Sequence, residues 1–126
     1  MMKVLATATL FTLLAWQPVS ADDDIAKGEK LFTRCAACHS IKDDKNKIGP
    51  TLKGVVGRAP GTVAGFVYSN AMLEFAKSNS AWDEKTLDIY LANPRDLIKG
   101  TKMSLAPIKK DDERRDIIAY LKSMTP

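Results

Sequence analysis

The chain has one histidine, His39, and two cysteines, Cys35 and Cys38. A structural zinc site needs four such ligands, and these three exhaust the supply. No long basic run, basic-aromatic repeat or glycine-rich phosphate loop occurs, and 19 basic against 15 acidic residues leave a net charge of only +4. Nucleic acid is therefore not an expected partner. No window alternates apolar and polar residues as a half-buried strand would. No internal repeat, low-complexity tract or linker divides the chain either. What remains is one small helical domain behind an N-terminal extension.

That extension has its own grammar. Met1-Met2-Lys3 supplies a positive start, residues 4–16 form an uncharged apolar run, and Val19-Ser20-Ala21 offers small residues ahead of Asp22-Asp23-Asp24. The order is that of a secretory signal peptide over residues 1–21, cleaved after Ala21; the run is short for a membrane span, as an uncleaved anchor would require. The expected mature domain is residues 22–126, exported to a bacterial periplasm, monomeric and with no stable membrane insertion.

Cys35-Ala36-Ala37-Cys38-His39 carries the chemistry. In a C-x-x-C-H site two thiols add across the vinyl groups of a haem, and the next residue binds its iron. The spacing matters because two thioethers fix the porphyrin edge against one helical turn and aim His39 at the metal. A disulfide is the competing reading for two cysteines in an exported chain. A redox dithiol of the thioredoxin type would sit in a βαβ pattern, which is absent. One covalent haem c, held by Cys35 and Cys38, is the reading that uses all three residues.

Helical spacing runs through the rest. Ile25, Gly28, Leu31, Phe32 and Cys35 fall three or four apart, which predicts a first helix with one apolar face leading to the motif. Asp83 is placed as an N-cap, with Trp82 and Leu87 positioned as a hydrophobic staple. That helix should end at Asn93-Pro94. Asp111, Asp112 and Glu113 suit the positive end of a last helix that buries Ile117, Tyr120, Leu121 and Met124. A short helix is predicted near residues 70–77. Long glycine- and proline-rich connections, 49–65 and 94–107, would wrap the ligand.

Because His39 stands alone, a second protein ligand cannot be histidine within one chain. Past the signal segment only Met72, Met103 and Met124 offer a thioether. Met124 keeps helical phase with Leu121, and Met72 lies in an apolar turn suited to packing beside the haem. Met103 has no helical phase, which leaves it the weakest packing explanation and makes it the expected ligand. A His39/Met103 pair fills both axial positions, so electron transfer is expected rather than catalysis. The alternative, a peroxidase-like or gas-binding haem protein, would want an open axial position and a second acid or base above it. The gas-binding four-helix cytochromes also carry the motif near the C-terminus, whereas here it is near the mature N-terminus.

Over residues 25–126 the chain resembles the class I, mitochondrial-type cytochromes c, most closely their periplasmic bacterial members. Gly28 and Phe32 match the family's small-aromatic pair on the first helix, and Ile117 and Tyr120 match its partners on the last. The resemblance implies an all-α fold of three main helices plus one or two short ones. It further implies that the Pro50 carbonyl accepts the imidazole N–H. Arg58, Tyr68 and Trp82 would surround the haem propionates, Tyr90 would stand beside the methionine sulfur, and Thr101 would add a hydrogen bond. Met72 stands where mitochondrial proteins usually carry asparagine, Leu105 replaces an aromatic, and the stretch between Tyr68 and Trp82 is longer. Arg34, Lys47, Lys99, Lys102, Lys109 and Lys110 are the expected docking rim for redox partners with acidic surfaces, membrane complexes or periplasmic dehydrogenases among them.

Overall fold

A computed structural model describes residues 21–126. The expected signal segment, apart from Ala21, lies outside the described residues. Among these described residues six helices follow in order: α1 (Ala21–Leu31), α2 (Thr33–Ala36), α3 (Asn70–Ser78), α4 (Glu84–Ala92), α5 (Pro94–Leu97) and α6 (Asp111–Ser123). Among the described residues there is no strand, and no helix is long and apolar enough to cross a membrane.

The predicted boundaries are set by local chemistry. Asp83 adopts an extended backbone and its carboxylate accepts from the Thr86 N–H at 2.7 Å, fixing the start of α4. Asn93, also extended, closes that helix ahead of Pro94. Ser69 caps α3 in the same manner, accepting from the Met72 N–H at 3.1 Å. Two features differ from expectation. The first helix breaks at Phe32, so the haem motif starts on a separate four-residue helix. Pro94, expected to open a loop, instead opens α5, because a proline at the first helical position has no N–H to leave unpaired.

The most extensive helix contact is α1 against α6. Gly28 makes it possible. A Cβ there would lie 1.9 Å from the Asp116 carbonyl oxygen and 2.8 Å from Tyr120 Cβ, so only hydrogen fits between the two backbones. Phe32 and Tyr120 then meet edge to face, with centroids 5.5 Å apart. Ile117, Leu121, Leu87, Leu91 and Trp82 join them in one buried cluster, and Met124 packs at its margin. A second aromatic series, Phe75–Trp82–Tyr90, ties α3 to α4 at centroid separations of 5.4 and 5.1 Å.

Gly28→Val should force the α1–α6 crossing apart, since the obstructing atoms are backbone. Urea unfolding of the haem-loaded protein should show a loss of about 2 kcal/mol or more, the scale of a core overpacking defect. An unchanged midpoint would contradict the close crossing.

Candidate functional site

The helices do not fill their own interior. A cavity of about 700 Å³ opens between them, its apolar wall formed by Leu52, Val55, Leu87, Leu91, Ile117 and Leu121. Cys35, Cys38, His39, Pro50, Arg58, Tyr68, Trp82, Tyr90, Thr101 and Met103 all border this space, and so do Met72 and Leu105. The residues singled out from the sequence thus meet at one place.

Short-range geometry orients the histidine. Nδ1 of His39 stands 2.6 Å from the Pro50 carbonyl oxygen. A carbonyl can only accept, so Nδ1 carries the proton and Nε2 keeps a free lone pair. Burial pushes the imidazole pKa below its ordinary value, the Pro50 bond opposing this. Gly49 lies flat against the ring: a Cβ there would sit 2.3 Å from His39 Cε1. The adjacent backbone is pinned by Gly49 N–H donating to the Cys38 carbonyl at 2.8 Å. Cys35, on α2, and Cys38, in the turn that follows it, are half-buried and unbridged, three residues apart. Burial raises the Cys35 thiol pKa, with Arg34 acting the other way.

Across the fold, the Tyr90 and Thr101 hydroxyls are 2.9 Å apart, and the Met103 N–H donates to Thr101 Oγ1 at 3.3 Å. Burial raises the Tyr90 pKa, which keeps the phenol neutral and able to donate. Arg58 is half-buried rather than superficial. It donates to the Lys53 and Thr51 carbonyls at 3.1 and 3.0 Å, and burial lowers its pKa. Backbone bonds of 2.8 Å between Gly57 and Trp82, and between Trp82 and Arg58, hold this segment beside the indole. The Tyr68 hydroxyl accepts from the Val63 N–H at 3.1 Å.

The six basic residues of the expected rim are not equivalent. Arg34 and Lys102 border the cavity. Glu113 pairs with Arg34 at 3.1 Å and with Lys110 at 3.6 Å, and Lys47 donates to the Ala36 carbonyl. Lys99, Lys102 and Lys109 enter no ion pair among the described residues. Two residues that sequence reasoning passed over also border the cavity, Ile48 at 81% and Val67 at 80% exposed. Neither falls in a helical pattern that would have drawn attention to it.

The donor set fits a haem. Two thiols at helical spacing, an imidazole with a free Nε2, thioethers and an apolar wall converge on one space, with polar groups such as Arg58 and Tyr68 at its border.

The comparisons agree with this chemistry. A family model described as cytochrome c matches residues 25–125. The chain is 50% identical over 104 residues to cytochrome c of Chlamydomonas reinhardtii, covering 81% of this chain and 90% of the relative. It is 42% identical over 114 residues to cytochrome c2 of Blastochloris viridis, covering 90% and 87% respectively. Among solved structures, cytochrome cH from Methylobacterium extorquens superposes with a TM-score of 0.73 at 42% identity, covering 79% of this chain and 98% of that one. The chain belongs to the cytochrome c family, electron carriers built around a covalently bound haem c.

Proposed function

We propose that this protein is a mobile one-electron carrier of a bacterial periplasm, with its haem iron held between His39 Nε2 and Met103 Sδ. The observation that carries the axial pair is that both residues border one cavity and each is steadied by its surroundings: His39 by the Pro50 carbonyl, the Met103 backbone by Thr101. Bound haem supplies a one-electron couple at its iron. The chain's residues tune that couple. The Met103 thioether is a soft donor that favours the reduced metal, and the apolar wall disfavours the extra positive charge of the oxidised one. Both effects raise the potential. Cys35 and Cys38 hold the ring edge, and Arg58, Tyr68 and Trp82 provide the polar end of the site.

With His39 and Met103 both holding its iron, a bound haem would offer a substrate no free position, and the chain has no second histidine to serve as an acid or base there. This favours a carrier over an enzyme. Location in the periplasm rests on the N-terminal pattern and accords with the bacterial relatives. A monomer meeting acidic surfaces on redox complexes is the mode of action that the scattered lysines support.

Met103→Ala should abolish the weak far-red absorption of ferric iron bound to sulfur, lower the potential and allow carbon monoxide to bind the reduced protein. Met72→Ala, although it borders the same cavity, should retain the band. Loss of the band in the Met72 variant alone would reverse the assignment.

Arg34 and Lys102 border the cavity that would hold the haem, so charge around its mouth should govern encounter. At low ionic strength Lys102→Glu and Lys109→Glu should slow second-order electron transfer to the authentic partner without altering the spectrum, while Asp22→Lys leaves it unchanged. Added salt should erase the differences. Equal rates for all three variants would remove the docking rim and leave the carrier assignment standing.

A further inference from the structure

Met103 lies in a segment, residues 102–107, in which no backbone–backbone hydrogen bond forms among the described residues. Lys102, Ser104, Ala106 and Pro107 are exposed. Such a segment is positioned by its two ends. At the leading end Tyr90, on α4, meets Thr101. At the closing end the Ile108 N–H donates to the Leu91 carbonyl, also on α4, at 3.0 Å, and Ile108 is buried.

Arg114 completes that closing end. Its side chain is 9% exposed, and each of its three nitrogens has a partner. Nη1 donates to the Ile108 carbonyl at 2.7 Å and to the Lys109 carbonyl at 3.1 Å. Nε donates to Asp88 Oδ1 on α4 at 2.7 Å, and Nη2 pairs with Asp111. The fork of the guanidinium thus joins loop, α4 and α6 at one point, which a lysine's single ammonium could not do. Hydrogen bonding to Asp88 raises the Arg114 pKa further, so the charge is permanent.

We propose that Arg114 is a positioning residue for Met103: with Asp88 it latches the closing end of the loop to α4, and the latch sets how readily the thioether gives up the iron. This rests on Met103 being the axial ligand. Loosening the end of a segment that has no backbone–backbone hydrogen bond of its own would increase the fraction of time in which Met103 is displaced, and an external ligand would then take its place. Free imidazole is a suitable probe: its nitrogen lone pair forms the bond to ferric iron as the sulfur bond breaks, with no change of oxidation state.

The test measures imidazole association with the ferric haem-loaded protein by stopped flow, following the far-red band, beside urea stability for each variant. Arg114→Gln should speed association by about tenfold, in keeping with the loss of hydrogen bonds to a charged group. Asp88→Asn should change it in the same direction but less, since an acceptor oxygen remains, and it serves should the arginine variant fail to fold. Phe32→Leu, in the α1–α6 contact and party to none of the Arg114 hydrogen bonds, supplies a comparison that loses stability without removing the latch. Faster association in the latch variants, at stabilities where Phe32→Leu shows none, supports the proposal. Equal acceleration in Phe32→Leu, or unchanged rates in both latch variants, overturns it. Met103→Ala measured alongside keeps the two failures apart: a far-red band that survives there refutes the ligand assignment and the latch with it, whereas a lost band with unchanged rates in both latch variants refutes the latch alone.

Discussion

An apolar hollow of about 700 Å³ is the constraint from which the rest of this structure follows. Helices as short as α3 and α4, nine residues each, are marginal on their own and need tertiary packing to persist. Here much of the surface they could pack against borders the cavity rather than another helix. Leu87, Leu91, Ile117 and Leu121 face both the buried cluster and the cavity, so the same side chains serve core and cofactor. Folding and haem binding are therefore linked: whatever occupies the space stabilises the native chain by mass action and by the apolar surface it covers. Thioether attachment makes that occupant permanent, which suits a domain too small to bury a large core of its own.

Much of this was legible in the sequence because the signals were local. A C-x-x-C-H run needs only five consecutive residues to define its chemistry. Asp83 and the Asn93-Pro94 pair act on backbone groups within a few positions of themselves, and the structure has both ends of α4 where they place them. The fold class and the last helix were equally readable from apolar spacing. Less was visible where the cause lay at long range. Arg114 appears in the sequence as one charge among several at a helix start, and only the approach of α4 shows that it is buried with a partner at each nitrogen. Arg58 has the same character: its acceptors are carbonyls supplied by the chain's turning at residues 51–53. The Phe32 break and α5 escaped notice because four-residue helices carry too little periodicity to detect.

The basic surface shows why composition alone predicts little about docking. Six positive side chains look alike in sequence, yet Glu113 places a carboxylate between Arg34 and Lys110. Pairs of this kind contribute little to stability, but the one Glu113 carboxylate cancels half the net charge that a distant partner would feel from the two cations it bridges. Lys99, Lys102 and Lys109 project unscreened charge instead. Ile48 and Val67 add apolar surface at the border of the cavity, which Lys102 shares, so a partner docking there as proposed would meet both charge and apolar contact. Such a division of labour favours rapid, weak encounter over tight binding, which is what a carrier that must both arrive and leave requires.

One helix links these functions. Within the nine residues of α4, Leu87 and Leu91 wall the cavity and Tyr90 meets Thr101 at the head of the Met103 segment. Asp88 meets Arg114 at that segment's tail, where the Leu91 carbonyl also receives Ile108. Its start is fixed by Asp83, directly after Trp82, which in turn stacks on Phe75 of α3 and is hydrogen-bonded through its backbone to the Arg58 segment. A displacement of α4 would therefore move the cavity wall, both tethers of the Met103 loop and the polar end of the site together. If Met103 holds the iron as proposed, local opening of this helix and loss of the thioether would be a single event rather than two. The cooperativity of the fold and the persistence of its redox properties have the same structural origin.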